Sequence, residues 1–159
     1  MSKKQILFFI IILSCMLNLS SCSRNETISK QQLLLQSIEQ LEHRFEERKL
    51  GSIIEYISAN YQDTQGRNLL DIKRAIQMQL MRHKTLYVFS TIKDISWSDA
   101  ENATVQITVA MAGKPIKSAS ILPSIRADMI KFSVDFILED GIYKVKSAVW
   151  EWAKPTDFL

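Results

Sequence analysis

Residues 139–152 read EDGIYKVKSAVWEW, and the way this stretch divides decides the fold. Asp140-Gly141 is a two-residue hairpin turn between β-rich flanks. Before it, Ile130, Phe132, Val134, Phe136 and Leu138 alternate with mostly polar neighbours, the period of a strand with one face on a core. After it, Tyr143, Val145 and Val149 hold one parity while Trp150 and Trp152 hold the other. A single last strand over residues 142–152 therefore needs a bulge or a strong twist near Ser147.

Working back along the chain, Val105, Ile107, Val109 and Met111 alternate with Thr104, Gln106, Thr108 and Ala110, and Leu86 to Ile95 is rich in β-formers. That makes four strands in sequence. Ahead of Lys84 the apolar period is helical. Ser29 and Gln32 form a capping box, and Leu34, Ile38, Leu41 and Phe45 repeat at helical spacing until Gly51. The charged run Glu42 to Lys49 reads as the solvated side of that helix. Ser52 and Glu55 predict a second, short helix to about Asn60. Asp63-Thr64-Gln65-Gly66 is turn chemistry, and Asn68 caps a third helix to about His83 with Leu69, Ile72, Ile76 and Leu80 inward.

Helices first and an antiparallel meander afterwards predict the α+β class: N-terminal helices packed against a curved antiparallel four-stranded sheet. The stretch Gly113 to Ser124, GKPIKSASILPS, exceeds an ordinary hairpin loop. Bracketed by Pro115 and Pro123, it reads either as a plain long connection or as a stiff flap over one end of the layer.

The order of elements, with YQDTQG at residues 61–66 and the closing hairpin 139–152, resembles the nuclear transport factor 2-like cone, also called SnoaL-like or cystatin-like, over residues 29–154. The resemblance implies a cavity between sheet and long helix. It does not imply one activity, because the superfamily holds ketosteroid isomerases, polyketide cyclases, dehydratases and many members without chemistry. In the isomerase-like members an Asp or His base reaches the cavity, opposite a Tyr or a protonated acid that stabilises an oxyanion.

The candidates for those parts are His83 or Asp63 as base, with Tyr87, Tyr56 or Tyr61 as hydroxyl donor. Each has a structural alternative. His83, beside Arg82, stands where it can cap the last carbonyls of the third helix. Asp63 can cap its own turn, and tyrosines of a small core pack and hydrogen-bond at its rim. His43 lies in the charged stretch LEHRFEERK. Tyr56, Tyr61, Arg126 and Trp150 are the ligand or rim candidates; Arg126 could pair with Asp128 or meet an anionic head group, and Trp97, Trp150 and Trp152 could line a site or fill a core.

Composition sets the remaining limits. The chain has 159 residues, 47% hydrophobic and 23% charged, which suits one globular domain. Met1 to Ser21 is built like an export signal: Lys3-Lys4, then the apolar run Ile6 to Leu17, too short for a spanning helix of about 20 residues. Leu19-Ser20-Ser21-Cys22 resembles the lipobox of bacterial lipoproteins, whose cysteine is linked to diacylglycerol before cleavage. Cys15 falls within the leader, so the mature chain has one thiol, a hazard in an oxidising compartment unless lipid caps it.

The expected division is a signal peptide over 1–21, a lipidated tether over 22–28, the folded domain over 29–154 and a tail over 155–159. The resemblance further implies the cell envelope, and the outer membrane facing the periplasm in a Gram-negative host, since Ser23 is not the aspartate of inner-membrane retention. Without Lys3 and Lys4 the chain carries 18 basic and 17 acidic side chains, which points to no nucleic-acid partner. No phosphate loop, zinc spacing or serine-hydrolase elbow is present, and neither cofactor nor metal is expected. The expected partners are the bilayer, through acylated Cys22, and an apolar small molecule or an envelope protein. A non-catalytic binding module is the reading that needs only packing; a small acid–base enzyme of the isomerase or dehydratase kind is the alternative.

Overall fold

The computed structural model describes residues 29–159. The leader, the Leu19–Cys22 motif and the whole of the 22–28 tether lie outside the described residues. Helix α1, Lys30–Glu47, opens on the capping box: Gln32 N–H donates to Ser29 Oγ at 3.2 Å and Ser29 N–H to Gln32 Oε1 at 2.9 Å. It ends earlier than Gly51, at Arg48, which takes a left-handed φ of 59°. A non-glycine residue there needs compensation. The Arg48 guanidinium supplies it by donating to Leu80 O at 2.8 Å and Lys84 O at 2.6 Å.

Helix α2 is Leu50–Ile54, shorter than expected and not capped by Ser52; its N-cap is Lys49, without a side-chain bond. Residues beyond it find better partners than helical ones. Tyr56 O accepts from Val145 N, while Ser58 N and Gln62 N donate to Val145 O and Lys146 O, so residues 56–62 run along the edge of the last strand. Helix α3, Leu69–Arg82, starts as expected, with Asn68 Oδ1 accepting from Leu70 N and Asp71 N.

The four strands β1 (Tyr87–Trp97), β2 (Asn102–Ala112), β3 (Asp128–Glu139) and β4 (Ile142–Trp152) pair antiparallel in the order β1-β2-β3-β4. The turn between β3 and β4 has positive φ at Asp140 and Gly141, the mirror-image turn that matches strand twist. Both edge strands carry a bulge. In β1 the register steps from Ile92 to Asp94, and in β4 Ser147 faces Asp135 while Val145 faces Phe136, leaving Lys146 as the extra residue. Past each bulge the strand's side chains exchange faces. Tyr143 and Val145 therefore point to the helices, and beyond Lys146 so do Ala148, Trp150 and Trp152.

The helix-side core centres on Leu34, Ile53, Val105 and Tyr143, all wholly buried. Tyr143 ties the layers together: its N–H donates to Ser37 Oγ of α1 at 3.0 Å, its hydroxyl to Ala100 O at 3.1 Å, and Trp97 meets its ring edge-on at 5.8 Å. On the opposite face of the sheet, Ala110 is covered by Leu122 and Phe158. These come from two 3-10 turns, Ala119–Ser124 and Pro155–Phe158. The flap reading of 113–124 is thus corrected, since its apolar residues pack on the sheet face away from the helices. The packed chain also runs on past residue 154, because Phe158 is buried beside Phe89. Among the described residues no helix is long and apolar enough to cross a membrane.

Candidate functional site

Helix α3 is pinned at both ends and stands off the sheet between them. At its start the Gln62–Asn68 bridge fixes the entering chain. At its end Gln79 Nε2 donates to Asp128 Oδ2 at 3.0 Å, and Arg48 holds the Leu80 carbonyl. Between these ties lies a cavity of about 520 Å³, walled by α1, α3 and the inward side chains of β2, β3 and β4. Its volume falls in the ~300–1,000 Å³ range of small-molecule sites. The wall is overwhelmingly apolar: Ile38, Leu41 and Phe45 from α1, Ile72 and Ile76 from α3, and Ile107, Val109, Phe132 and Val134 from the sheet. Met78, Trp150 and Trp152 are the large apolar wall residues most open to solvent, 59%, 42% and 64% exposed, so the mouth lies between α3 and the edge strand β4. The two indoles meet edge-on at 6.0 Å.

Few polar groups reach this space, and most are already engaged. Tyr61 and Arg67 line it, but both turn to Asp63. Asp63 Oδ1 accepts from Gln65 N at 2.9 Å and Arg67 N at 3.0 Å; Oδ2 accepts from Arg67 Nε at 2.6 Å and the Tyr61 hydroxyl at 3.2 Å. Burial alone would raise the Asp63 pKa, yet the Arg67 and Gln65 hydrogen bonds and the guanidinium charge outweigh it and hold it below the usual carboxylate value. Tyr61 moves the other way, pushed up to about 12 by burial and by the neighbouring Asp63 carboxylate. Asp63 is therefore a poor base with its lone pairs taken, and Tyr61 spends its proton on Asp63. The turn-capping alternative accounts for Asp63; as a cavity base it is corrected, since its carboxylate closes its own turn and borders a separate polar hollow with Thr104 and Lys146.

The other candidates disperse. His83 is the residue after α3, in extended conformation, with Nε2 3.4 Å from Asp128 Oδ2 and outside the cavity wall. It is the C-cap residue, but its ring makes no bond to the last carbonyls of α3; the Arg48 guanidinium takes the Leu80 carbonyl. Tyr87 opens the edge strand β1, more than a third exposed, and Tyr56 is buried under the Arg44 guanidinium, 5.3 Å from its ring centre. Neither lines the cavity. Arg126 is exposed and unpaired with Asp128, whose carboxylate is taken by Gln79 and His83. Of the tryptophans, Trp150 and Trp152 reach the mouth, whereas Trp97 packs on Tyr143 under the Lys30 ammonium.

Glu42 is a wall residue that sequence reasoning missed by assigning it to the solvated side of α1. Its Oε1 is enclosed and has no hydrogen-bond partner. Burial raises its pKa; the Ser90 hydroxyl opposes this in part, and the Glu46 and Glu39 charges on the same helix add to it. The available signal was position: Glu42 lies four residues after Ile38, on the apolar stripe. Among the described residues no three His, Cys, Asp or Glu side chains come together as metal ligands.

No protein-family model and no curated protein matches the chain in sequence. Solved structures match its architecture. A provisionally named scytalone dehydratase from Novosphingobium aromaticivorans superposes with a TM-score of 0.63 at 10% identity, covering 79% of this chain and 85% of its own. A protein of unknown function with a cystatin-like fold from Nostoc punctiforme gives 0.59 at 8% identity, over 77% and 90%. A nuclear transport factor 2-like protein of unknown function from Shewanella baltica gives 0.54 at 7%, over 79% and 94%. Identities this low speak for architecture alone. The chain has the nuclear transport factor 2-like, or cystatin-like, α+β fold.

Proposed function

We propose that the protein is an envelope-anchored, non-catalytic module that holds a small apolar molecule. The observation that carries this reading is the apolar cavity of about 520 Å³ whose polar neighbours, Tyr61, Asp63 and Arg67, already satisfy one another. Such a wall can desolvate and retain an apolar body. The anchor is supported by the leader and by Leu19-Ser20-Ser21-Cys22. Two or three acyl chains, at about 0.8 kcal/mol per buried methylene, hold a chain at a bilayer durably. Native mass spectrometry of the full chain purified from its own envelope tests the cavity: a co-purifying apolar molecule is expected, and an empty cavity that takes up no added apolar compound refutes the reading. Cys22→Ser tests the anchor. Unchanged processing and membrane partitioning would sink it.

Glu42 favours a second reading, a small acid–base enzyme of the isomerase or dehydratase kind, because a carboxyl whose pKa burial raises, set in an apolar wall, is the kind of group that shuttles protons. The module reading is preferred because no hydroxyl or imidazole in the wall is free to act with it. Turnover of an enolisable ketone that Glu42→Ala abolishes would reverse the preference.

A further inference from the structure

One cationic group in the cavity wall has no ion-pair partner among the described residues. Arg67 is neutralised by Asp63, behind the wall, at 2.6 Å, and Glu42 is the wall's only acid. Arg82 lines the same space and has no acidic or hydrogen-bonding partner among the described residues. It follows Met78 by four residues and Gln79 by three, so the three share the face of α3 that overhangs the mouth. Trp150 and Trp152 form the facing lip, and Met81, 72% exposed, extends the apolar surface outside it. Along α3, Arg82 and the Tyr61–Arg67 pair mark opposite ends of the cavity, and the helix between them is about 21 Å long. The space is thus elongated and apolar, with an uncompensated guanidinium at the open end.

We propose, resting on the binding-module reading above, that the ligand is a single-chain anionic amphiphile, lying with its tail under α3 towards Tyr61 and its anionic head at the mouth on Arg82. A guanidinium matches a carboxylate or a phosphate with paired N–H groups, and the bond is stronger beside apolar lips than in open water. Glu42, on α1, is the one acid in the wall and makes no ion pair with Arg82.

The test uses the full chain, purified from membrane into amphipol and incubated with an equimolar mixture of laurate, dodecyl phosphate and methyl laurate. Native mass spectrometry separates the three adducts by mass. At least one anion is expected to exceed the uncharged ester by about tenfold, and the stronger of the two identifies the head as carboxylate or phosphate. Arg82→Gln is expected to level anion and ester while the ester adduct persists, and Arg82→Lys to keep most of the preference. Equal binding of anion and ester by the parent protein, or a preference that survives Arg82→Gln, overturns the assignment of Arg82 and leaves the module reading standing. No adduct of any of the three overturns both.

Discussion

Asp63→Asn probes whether the turn carboxylate is structural. Its two oxygens take four donors, Gln65 N and Arg67 N on Oδ1, Arg67 Nε and the Tyr61 hydroxyl on Oδ2. Asparagine keeps one acceptor and puts an NH₂ group where the other stood. With its oxygen towards the backbone, the NH₂ meets Arg67 Nε donor to donor, while the Tyr61 hydroxyl can rotate and accept. The guanidinium alone is stranded. Breaking one side of a buried pair costs ~3–5 kcal/mol, and because the Arg67 side chain keeps 26% of its exposure the lower figure applies, about 3 kcal/mol. For a domain of this size that is a fall of roughly 10 °C in Tm. The sign with pH is set by the depressed pKa. The parent's advantage is full above the ordinary value of 3.8 and is lost as pH falls through the lower folded value, so the gap between parent and variant narrows in acid. Urea unfolding between neutral pH and about pH 2 measures both. A cost below ~1 kcal/mol at neutral pH, or one that stays constant into acid, refutes the structural role.

Glu42→Gln tests the opposite shift. A raised carboxyl pKa means that the native state holds its proton more tightly, so stability is lost as pH climbs above the ordinary 4.5; the variant escapes that loss and is expected to match the parent in acid and exceed it at pH 8, as read by urea unfolding. A variant weaker than the parent at pH 8 contradicts the burial argument. Phe158→Ala removes a buried ring from the outer sheet face and is expected to cost about 3 kcal/mol, with Arg82-side ligand binding unaltered; a change under ~1 kcal/mol would return residues 155–159 to the status of a tail.

The fold was legible where local chemistry and tertiary contacts agree. The capping box at Ser29, the N-cap at Asn68, the Asp140-Gly141 turn and the alternation in β2 and β3 state their own conformations, and the parity conflict between Val145 and Trp150 located the bulge to within a residue of Lys146. Reading failed where a distant partner decides. Ser52 looks like a cap, but residues 56–62 take their hydrogen bonds from the β4 edge. His83 stands at the C-cap, yet it is Arg48, more than thirty residues earlier, whose side chain takes the helix-end carbonyls. The site was harder still. A run of charges hid Glu42, because periodicity marks which side chains face inward and carries no account of which charged ones are enclosed.

The unfilled volume is itself an argument. At about 24 cal/mol per Å³, a closed dry void of the cavity's 520 Å³ would cost on the order of 12 kcal/mol, as much as the whole stability of a typical domain. The open mouth lowers that cost by admitting water, but it leaves apolar walls hydrated, which is unfavourable in its own right. Collapse of α3 onto β3 would relieve this, and specific contacts prevent it: Arg48 holds the Leu80 and Lys84 carbonyls, Asp128 holds Gln79, and the Asp63–Arg67 turn with the Gln62–Asn68 bridge fixes the entry. Polar ties at both ends of the helix thus keep its apolar middle from closing. A chain that only needed to fold would gain by filling the space with a larger side chain at Ala148, which faces it. A small residue at Ala148, under a helix fastened at both ends, leaves that space open.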